Sequence, residues 1–383
     1  MARKKQEKQE ALESHEEISH SDPSSLLGIF LKNNKASHYN FEEEINYKVS
    51  SGSLLMDFEL GGGFGPGLHR FCGANECGKT SCALSVMKNF LDEPEGRRGV
   101  YLKAEGRLSL EIKERSGINF VGSEEEWKDG TCFVFDSNIY ETVVDLMRVL
   151  VADKSSGKKY FFILDSVDGL ITKGDNEKAL DESAKVAGGA VIASTLMKKI
   201  SIALAKRGHI AIFISQVRAD IKLDPYSKAP IRQTSATGGN ALLHFSNWIL
   251  EFETRFKGDL ILEDPKNSPD PRTNKILGHF AKATVKKSPN EKTNIQIRYP
   301  IRYGRKNGNS IWNEKEILDL LYIWNFAEKK GAWITFSEDF IKEFSEKSVI
   351  IPGNIQGEPK FNQWLEDNES YKKIFISYFM DLI

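Results

Sequence analysis

The sequence predicts an α/β fold in which a mostly parallel sheet carries helices on both faces. Short apolar runs recur through the middle of the chain, and amphipathic stretches of helical length separate them. Apolar strands that alternate with helices are typical of parallel sheets, because each crossover connection lays a helix over one face. The 383 residues are 40% hydrophobic and 28% charged, which is enough to bury a large core.

The predicted elements divide the chain into four parts. A polar tail covers residues 1–22, and residues 23–49 hold a short helix through Lys32 and a strand at 45–49. The α/β core spans 50–308, and a smaller, mainly helical region at 309–383 includes a helix over 314–329. Within the core we predict strands at 69–72, 99–102, 132–135, 160–164, 210–214 and 248–252, and helices at 79–91, 108–116, 140–152 and 189–206.

Charge and cysteine content exclude few classes of protein. The formal net charge is −1, so only local clusters of charge can indicate a nucleic-acid partner. The four cysteines form no C-x-x-C pair, which disfavours a zinc site and fits a reducing compartment. We find no run of eighteen apolar residues and no signal-peptide pattern, so we expect a cytoplasmic protein with no membrane partner.

A complete G-x-x-x-x-G-K-[ST] motif follows the first apolar run and opens a helix. This is the context of a phosphate-binding loop, in which glycines turn backbone N–H groups inward and the helix N-terminus attracts anions. The lysine would reach the outer phosphates of a nucleotide, and the threonine hydroxyl would ligate Mg²⁺. The predicted nucleotide contacts are Gly73, Ala74, Asn75, Glu76, Cys77, Gly78, Lys79, Thr80 and Ser81.

Two carboxylates follow predicted strands. Asp165 comes directly after 160–164, at the strand end where ligands bind in open α/β sheets. Alone it could cap a turn, but with the phosphate loop upstream it is predicted to hold Mg²⁺ together with Thr80. Glu105 follows the strand at 99–102 and could either orient the attacking water or start a helix in solvent; spacing alone leaves both open.

Further short motifs accompany the phosphate loop in a fixed order along the chain. They are SSGSL at 50–54 with the glycines of 61–67, AE at 104–105, LDS at 164–166, ISQVR at 214–218, TGGNAL at 237–242, EKKGAW at 328–333 and FNQWL at 361–365. In this order the segments resemble the RecA-type DNA recombinases over nearly the whole chain. The resemblance implies a RecA-like ATPase core, an N-terminal polymerisation segment at 23–49 and a small α+β C-terminal domain. It also implies ATP and Mg²⁺ as cofactors, Glu105 and Lys79 as catalytic residues, and Gln216 as the residue that senses the γ-phosphate.

By the same resemblance, two loops bind DNA, at about 174–189 and 219–239. Lysines and arginines in the second loop could contact phosphates, and Tyr226 could stack on a base, although loop cations are also commonly just solvated. The implied DNA-binding residues are Ser194, Lys198, Arg218, Lys222, Tyr226, Lys228, Arg232, Gly238, Gly239 and Asn240.

A basic stretch follows Ala281. In the family, two lysines near this position reach the ATP of the neighbouring subunit, and Lys286 and Lys287 are the best match. A solvated basic hairpin is the alternative. The resemblance therefore implies self-association into a helical filament, with single-stranded DNA and a homologous duplex as partners.

Departures from the family pattern keep other functions open. Ser109 and Ile112 stand near the places where the family holds adenine with Asp and Tyr, so base selectivity could be relaxed. The leading function is a DNA-dependent ATPase that forms filaments on single-stranded DNA and exchanges strands. The alternatives are a filament-forming DNA-binding ATPase without strand exchange and a hexameric helicase-type motor.

Overall fold

The computed structural model describes residues 23–39, 43, 45–106, 108–154, 156–177, 197–198, 200–218, 235–236, 239–347 and 349–383. The chain separates into two units, the first 44 residues and Ile45–Ile383. The described part of the first unit holds helix α1 (Pro23–Asn33) and a 3-10 turn at Lys35–Ser37, so a helix occurs where the sequence predicts one.

The second unit contains one large sheet, one small sheet and the helices around them. Residues 197–198 and 200–206 are also helical, within the predicted 189–206 helix. The named helices are α2 (Leu54–Leu60), α3 (Lys79–Leu91), α4 (Leu110–Ser116), α5 (Tyr140–Ala152), α6 (Lys173–Asn176), α7 (Gly239–Phe245), α8 (Asn313–Ile323), α9 (Glu338–Glu346), α10 (Gly357–Asp367) and α11 (Glu369–Leu382).

Eleven of the described strands form the large sheet. The strands are β1 (Gly67–Gly73), β2 (Arg97–Lys103), β3 (Phe120–Val121), β4 (Cys132–Asp136), β5 (Lys159–Asp165), β6 (Ile210–Arg218), β7 (Ser235–Ala236), β8 (Trp248–Phe252), β9 (Leu260–Leu262), β10 (Ile276–Lys287) and β11 (Gln296–Arg302). Their order in the sheet is β11-β10-β8-β1-β6-β5-β2-β4-β3, with β7 paired to β6 and β9 to β10.

The predicted α/β class and mostly parallel sheet are confirmed. From β8 through β1, β6, β5, β2 and β4 to β3 every pairing is parallel, while β10 pairs antiparallel with β8 and β11. All seven residues of β1 are buried, without the alternation of a one-sided sheet. Both faces of the central strands are therefore covered. The carboxyl ends of β1, β2, β5 and β6 meet at one edge, where the phosphate loop and the two predicted carboxylates lie.

Two predicted elements are wrong. No strand forms at 45–49; only Val49 makes a bridge, exchanging backbone hydrogen bonds of 2.9 and 2.8 Å with Phe64. Local β propensity there is not matched by a neighbouring strand to pair with. The helix predicted over 314–329 ends at Ile323, and β12 (Ala327–Lys330) follows it, because the 327–330 segment pairs with the next strand along the chain.

The C-terminal region has its own apolar core. Helices α8 to α11 pack with a second sheet formed by β12, β13 (Trp333–Phe336) and β14 (Asn354–Gln356), in the predicted α+β arrangement. Aromatic rings dominate this core; Phe340, for example, lies 4.5 Å from Phe344 between ring centroids. Leu54 of helix α2 is part of the same core. The domain boundaries expected from the sequence stay predictions.

A buried carboxyl group joins this region to the segment that precedes β1. Glu316 of α8 accepts hydrogen bonds from the Ser53 hydroxyl and from the Leu54 backbone N–H, the latter at 3.0 Å. Ser53 also caps α2, accepting the Met56 N–H at 3.1 Å. Burial raises the pKa of Glu316 to about 8, although these hydrogen bonds act in the opposite direction.

None of the described helices combines the length and the apolar character that a membrane span requires.

Candidate nucleotide-binding site

The phosphate loop connects β1 to α3 in the predicted way. Gly73 has φ 147°, and a Cβ placed on it would lie 2.3 Å from the Phe252 carbonyl oxygen, so no larger residue fits there. Gly78 has φ 99° and precedes the thirteen-residue helix α3, whose first turn holds Lys79, Thr80 and Ser81. The positive end of this helix therefore faces the loop interior, where phosphate oxygens would lie.

Lys79 lies across the loop that precedes it. Its Nζ donates hydrogen bonds to the carbonyl oxygens of Gly73 at 2.9 Å and Ala74 at 2.5 Å. Only 8% of the residue is exposed, and the nearby Cys77 Sγ is 3.7 Å from Nζ. The ammonium group is thus held at the loop, where it can neutralise phosphate charge.

Thr80 and Asp165 meet beside the loop. The Thr80 hydroxyl donates to Asp165 Oδ2 at 2.9 Å, and the Tyr101 hydroxyl donates to the same oxygen at 2.5 Å. Burial raises the pKa of Asp165, while the hydrogen bonds from Tyr101 and Thr80 lower it. A hydroxyl and a carboxylate next to a phosphate site form the oxygen donor set that suits Mg²⁺, which takes few protein ligands besides phosphates and water. These residues therefore fit the predicted metal.

Glu105 and Gln216 face each other across the carboxyl ends of the strands. Gln216 Nε2 lies 3.4 Å from Glu105 Oε1, and the Ser166 hydroxyl donates to the same Glu105 oxygen. The backbone N–H groups of Ala104 and Glu105 point to the Asp165 carbonyl oxygen, at 3.0 and 3.3 Å. Glu105 is exposed, yet these contacts hold it beside Asp165, and it does not start a helix, since α4 begins at Leu110.

A cavity of about 590 Å³ continues from the phosphate loop toward β10 and β11. Ile112 lines it, whereas the Ser109 hydroxyl caps α4 by accepting the Ile112 N–H at 3.3 Å. Sequence reasoning missed two arginines at its wall. Arg115 donates to the Ser81 hydroxyl at 3.0 Å, and Arg255 donates to the Tyr303 hydroxyl at 2.9 Å.

Three residues of the far wall of this cavity carry a buried polar atom. His279 Nδ1, Arg302 Nη1 and Ser310 Oγ are buried and have no hydrogen-bond partner within the described part of the chain. Burial lowers the pKa of His279 to about 4, so its ring is neutral near pH 7.

Lys286 and Lys287 do not belong to the cavity of their own chain. They are the last two residues of the long strand β10, and a turn follows at 289–290. Lys286 pairs with Glu251 at 3.0 Å, and Lys287 donates to the carbonyl oxygens of Leu243 and His244 at 2.9 and 2.8 Å. Burial lowers the pKa of Lys287. Neither lysine is among the described residues that line the cavity.

Most of the predicted DNA-binding residues lie outside the described residues. Of the rest, Lys198 is exposed, Arg218 is the last residue of β6, and Gly239 and Asn240 begin α7. The residues outside the description are Ser194, Lys222, Tyr226, Lys228, Arg232 and Gly238. The two predicted loops also fall largely outside it.

The fold and the site define a phosphate-loop nucleotide-binding protein with a parallel central sheet. Residues 35–297 match the family model of the RecA N-terminal domain, and the chain belongs to the RecA family. Membership places it among the ATP- and DNA-binding proteins of recombination and repair and implies a DNA-dependent ATPase.

Several bacterial proteins named Protein RecA are similar to the chain along most of its length. The one from Mesoplasma florum is 25% identical over 340 residues, covering 86% of this chain and 85% of the relative. The one from Bacillus thuringiensis is 27% identical over 342 residues, covering 86% and 88%. The one from Solidesulfovibrio magneticus is 24% identical over 362 residues, covering 91% and 92%.

Proposed function

We propose that this protein is an ATP-dependent recombinase. It would polymerise on single-stranded DNA, pair that strand with a homologous duplex and exchange strands. The observation that supports this proposal best is the meeting of Lys79, the Thr80–Asp165 pair, Glu105 and Gln216 at the ends of β1, β2, β5 and β6. β6 then continues directly into the segment at 219–239 that we expect to bind DNA.

The chemistry assigned to each residue follows from its position. Thr80 and Asp165 would hold Mg²⁺, which when bound neutralises charge on the phosphates. Lys79 and the N-terminus of α3 would stabilise the phosphate oxygens. Glu105, exposed beside them, would orient and deprotonate the attacking water. Gln216 would contact the γ-phosphate and so link the binding of ATP to the position of Arg218 and of the segment that follows it.

The variant Gln216→Ala tests whether Gln216 links ATP binding to DNA binding, a link that we call the relay. ATP should still bind, because the phosphate loop is intact. Single-stranded DNA should no longer stimulate hydrolysis, and a non-hydrolysable ATP analogue should no longer tighten DNA binding, because coupling between two ligands is reciprocal. DNA affinity measured with and without the analogue checks this.

The matched control for this experiment is Gln363→Ala, on α10, where the amide pairs only with Asp367 in the described structure. It should behave as the wild type. A Gln216→Ala protein whose DNA affinity responds fully to the analogue would contradict the relay.

Completion of the site by a neighbouring subunit can be tested by a double variant. The Lys286→Ala, Lys287→Ala protein should bind nucleotide but lose DNA-stimulated hydrolysis, because the two cations would act on the phosphate held by the next subunit. Mixing it with Lys79→Ala protein should restore part of the activity, since one kind of mixed interface joins an intact phosphate loop to intact lysines. ATPase assays of each protein and of the mixture measure this.

The matched control is Lys329→Ala, Lys330→Ala, a lysine pair at the end of β12. Its hydrolysis should remain stimulated by DNA. If the mixture co-assembles on DNA yet stays as inactive as its components, the lysines do not act in trans, and the basic stretch is a duplex-DNA gateway or a solvated basic hairpin.

Electron microscopy with single-stranded DNA and a non-hydrolysable ATP analogue tests the proposal as a whole. Helical filaments are expected, together with D-loop formation when a homologous duplex is added. Filaments without D-loops would instead support a DNA-binding ATPase that lacks strand exchange. Closed rings with unwinding activity would support a helicase-type motor.

A further inference from the structure

The end of β6 extends beyond the strand beside it. β5 pairs with β6 only from Phe161 opposite Ile210 to Leu164 opposite Phe213. β6 continues to Arg218, so its last residues lack β5 as a partner. The backbone N–H of Gln216 donates instead to the side chain of Asp168, with Gln216 N at 2.7 Å from Asp168 Oδ2. A carboxylate thus takes the hydrogen bond that a neighbouring strand would otherwise accept.

A second charged side chain holds the adjacent residue from the opposite side. Arg70 of β1 is only 1% exposed, and its Nε donates to the Ser215 hydroxyl at 3.0 Å. Burial lowers the pKa of Arg70, and the negative charge of Asp168 acts in the opposite direction, as does Cys72. Ser215 and Gln216 are therefore fixed by an arginine from β1 and an aspartate from beyond β5.

Asp168 lies in a short turn, three residues after Asp165, the proposed metal ligand. β5 ends at Asp165, and a 3-10 turn at Val167–Gly169 follows at once. From the end of β5 into this turn, Asp165 contacts Thr80, Ser166 contacts Glu105 and Asp168 contacts Gln216. The turn has little room to shift relative to Ala104 and Glu105, because a Cβ on Gly169 would lie 2.9 Å from both the Ala104 carbonyl oxygen and the Glu105 Cβ.

We propose that Asp168 is a positioning residue that couples the nucleotide and metal site to the DNA-binding end of β6. Its carboxylate fixes the backbone of Gln216, and with it the direction in which β6 leaves the sheet toward 219–239. A displacement of Asp165 or Ser166 when nucleotide binds reaches the backbone of Gln216 through this hydrogen bond, whereas the contact through Ser166 and Glu105 reaches only the Gln216 side chain. The inference rests on the proposed function, because that function supplies the coupling between ATP binding and DNA binding. The inference assigns this coupling to a residue outside the phosphate loop.

Asp168→Ala removes the carboxylate that accepts the hydrogen bond from the Gln216 backbone N–H. The quantity to measure is the coupling ratio, the dissociation constant for single-stranded DNA without the ATP analogue divided by that with it. Loss of a hydrogen bond to a charged acceptor should reduce this ratio about 10-fold or more. By reciprocity, the effect of DNA on analogue affinity should fall by the same factor.

Two further variants separate positioning from general damage. Asp168→Asn keeps an oxygen that can accept the Gln216 N–H and should retain most of the coupling ratio. Asp270→Ala is the matched control: Asp270 also accepts backbone N–H groups in a turn, at 2.7 and 3.0 Å, but it lies between β9 and β10, outside the cavity. It should leave the ratio unchanged. Analogue affinity without DNA should be close to wild type in all three variants.

The outcomes distinguish this inference from the proposed function. A wild-type protein whose DNA affinity ignores the analogue contradicts the proposed function itself. A wild-type protein that shows coupling, with Asp168→Ala equal to it, overturns only the role of Asp168. Weaker analogue binding by Asp168→Ala without DNA, by the same factor as its loss of coupling, also overturns it, because the residue would then only support the nucleotide site.

If Asp168→Ala fails to fold, Asp168→Glu carries the test. Glutamate keeps the charge but displaces the acceptor by one methylene group, so the coupling ratio should fall. A ratio equal to wild type in that folded variant would overturn the proposal.

Discussion

Lys79→Ala should abolish ATP hydrolysis and stable assembly on DNA. Lys79 is the cation held over the loop, where Nζ lies within hydrogen-bonding distance of the carbonyl oxygens of Gly73 and Ala74. Its charge would stabilise the transferring phosphate in a site largely shielded from water. Single cations in phosphoryl transfer can contribute about 10³-fold or more in rate, so turnover should fall at least that far. A steady-state ATPase assay with saturating single-stranded DNA measures it.

The matched control is Lys88→Ala, on the same helix, where the lysine pairs with Asp92. It removes one positive charge from α3 without touching the loop, so hydrolysis should remain near wild type. Wild-type turnover by a folded Lys79→Ala protein would rule out the assignment of the phosphate loop.

Glu105→Gln should slow hydrolysis strongly but preserve nucleotide-dependent DNA binding. The amide keeps an oxygen that can accept the hydrogen bonds made by Ser166 and Gln216, so the geometry around it survives. What it loses is the ability to take a proton from water. Loss of a general base typically costs about 10²- to 10⁴-fold in rate. Turnover and analogue-dependent DNA affinity should be measured on the same preparation.

Glu111→Gln is the control for that experiment, because Glu111 is an exposed carboxylate in the first turn of α4. Its turnover should match the wild type. Unchanged turnover in Glu105→Gln would show that Glu105 does not act on the water. Loss of analogue-dependent DNA binding would mean that the carboxylate supports the site rather than the chemistry.

Elements whose pattern is set by local sequence were predicted well. The helices Lys79–Leu91 and Tyr140–Ala152 and the strand Trp248–Phe252 have the predicted ends. Strong apolar periodicity, a glycine before α3 and buried strand runs determine these boundaries. The strand expected at 45–49 failed because strand formation depends on a partner that the local sequence does not specify.

The residues of the candidate site also fall into two groups, those that local sequence predicts and those that depend on contacts across the fold. Spacing alone left the role of Glu105 open, and the resemblance to the family supplied it. The positions of Lys79, Thr80 and Asp165 could be predicted because each follows a strand end or lies in a motif of fixed spacing. Tyr101, Arg115 and Asp168 could not, because their roles arise from pairings across the fold. Asp168 contacts a residue 48 positions away, and no spacing rule covers such a pair.

The hydrogen bonds that Glu316 accepts from Ser53 and Leu54 have a consequence for any variant that lacks the C-terminal region. Leu54 belongs to the C-terminal apolar core, and the Ser53 hydroxyl and the Leu54 N–H both donate to Glu316. A chain cut after residue 308 would expose Leu54 and take the acceptor from both donors at the start of α2, one loop before β1. Deleting the C-terminal region would therefore destabilise α2 and the segment that connects it to β1 and the phosphate loop. Loss of ATPase activity in such a fragment would be no measure of what that region itself does.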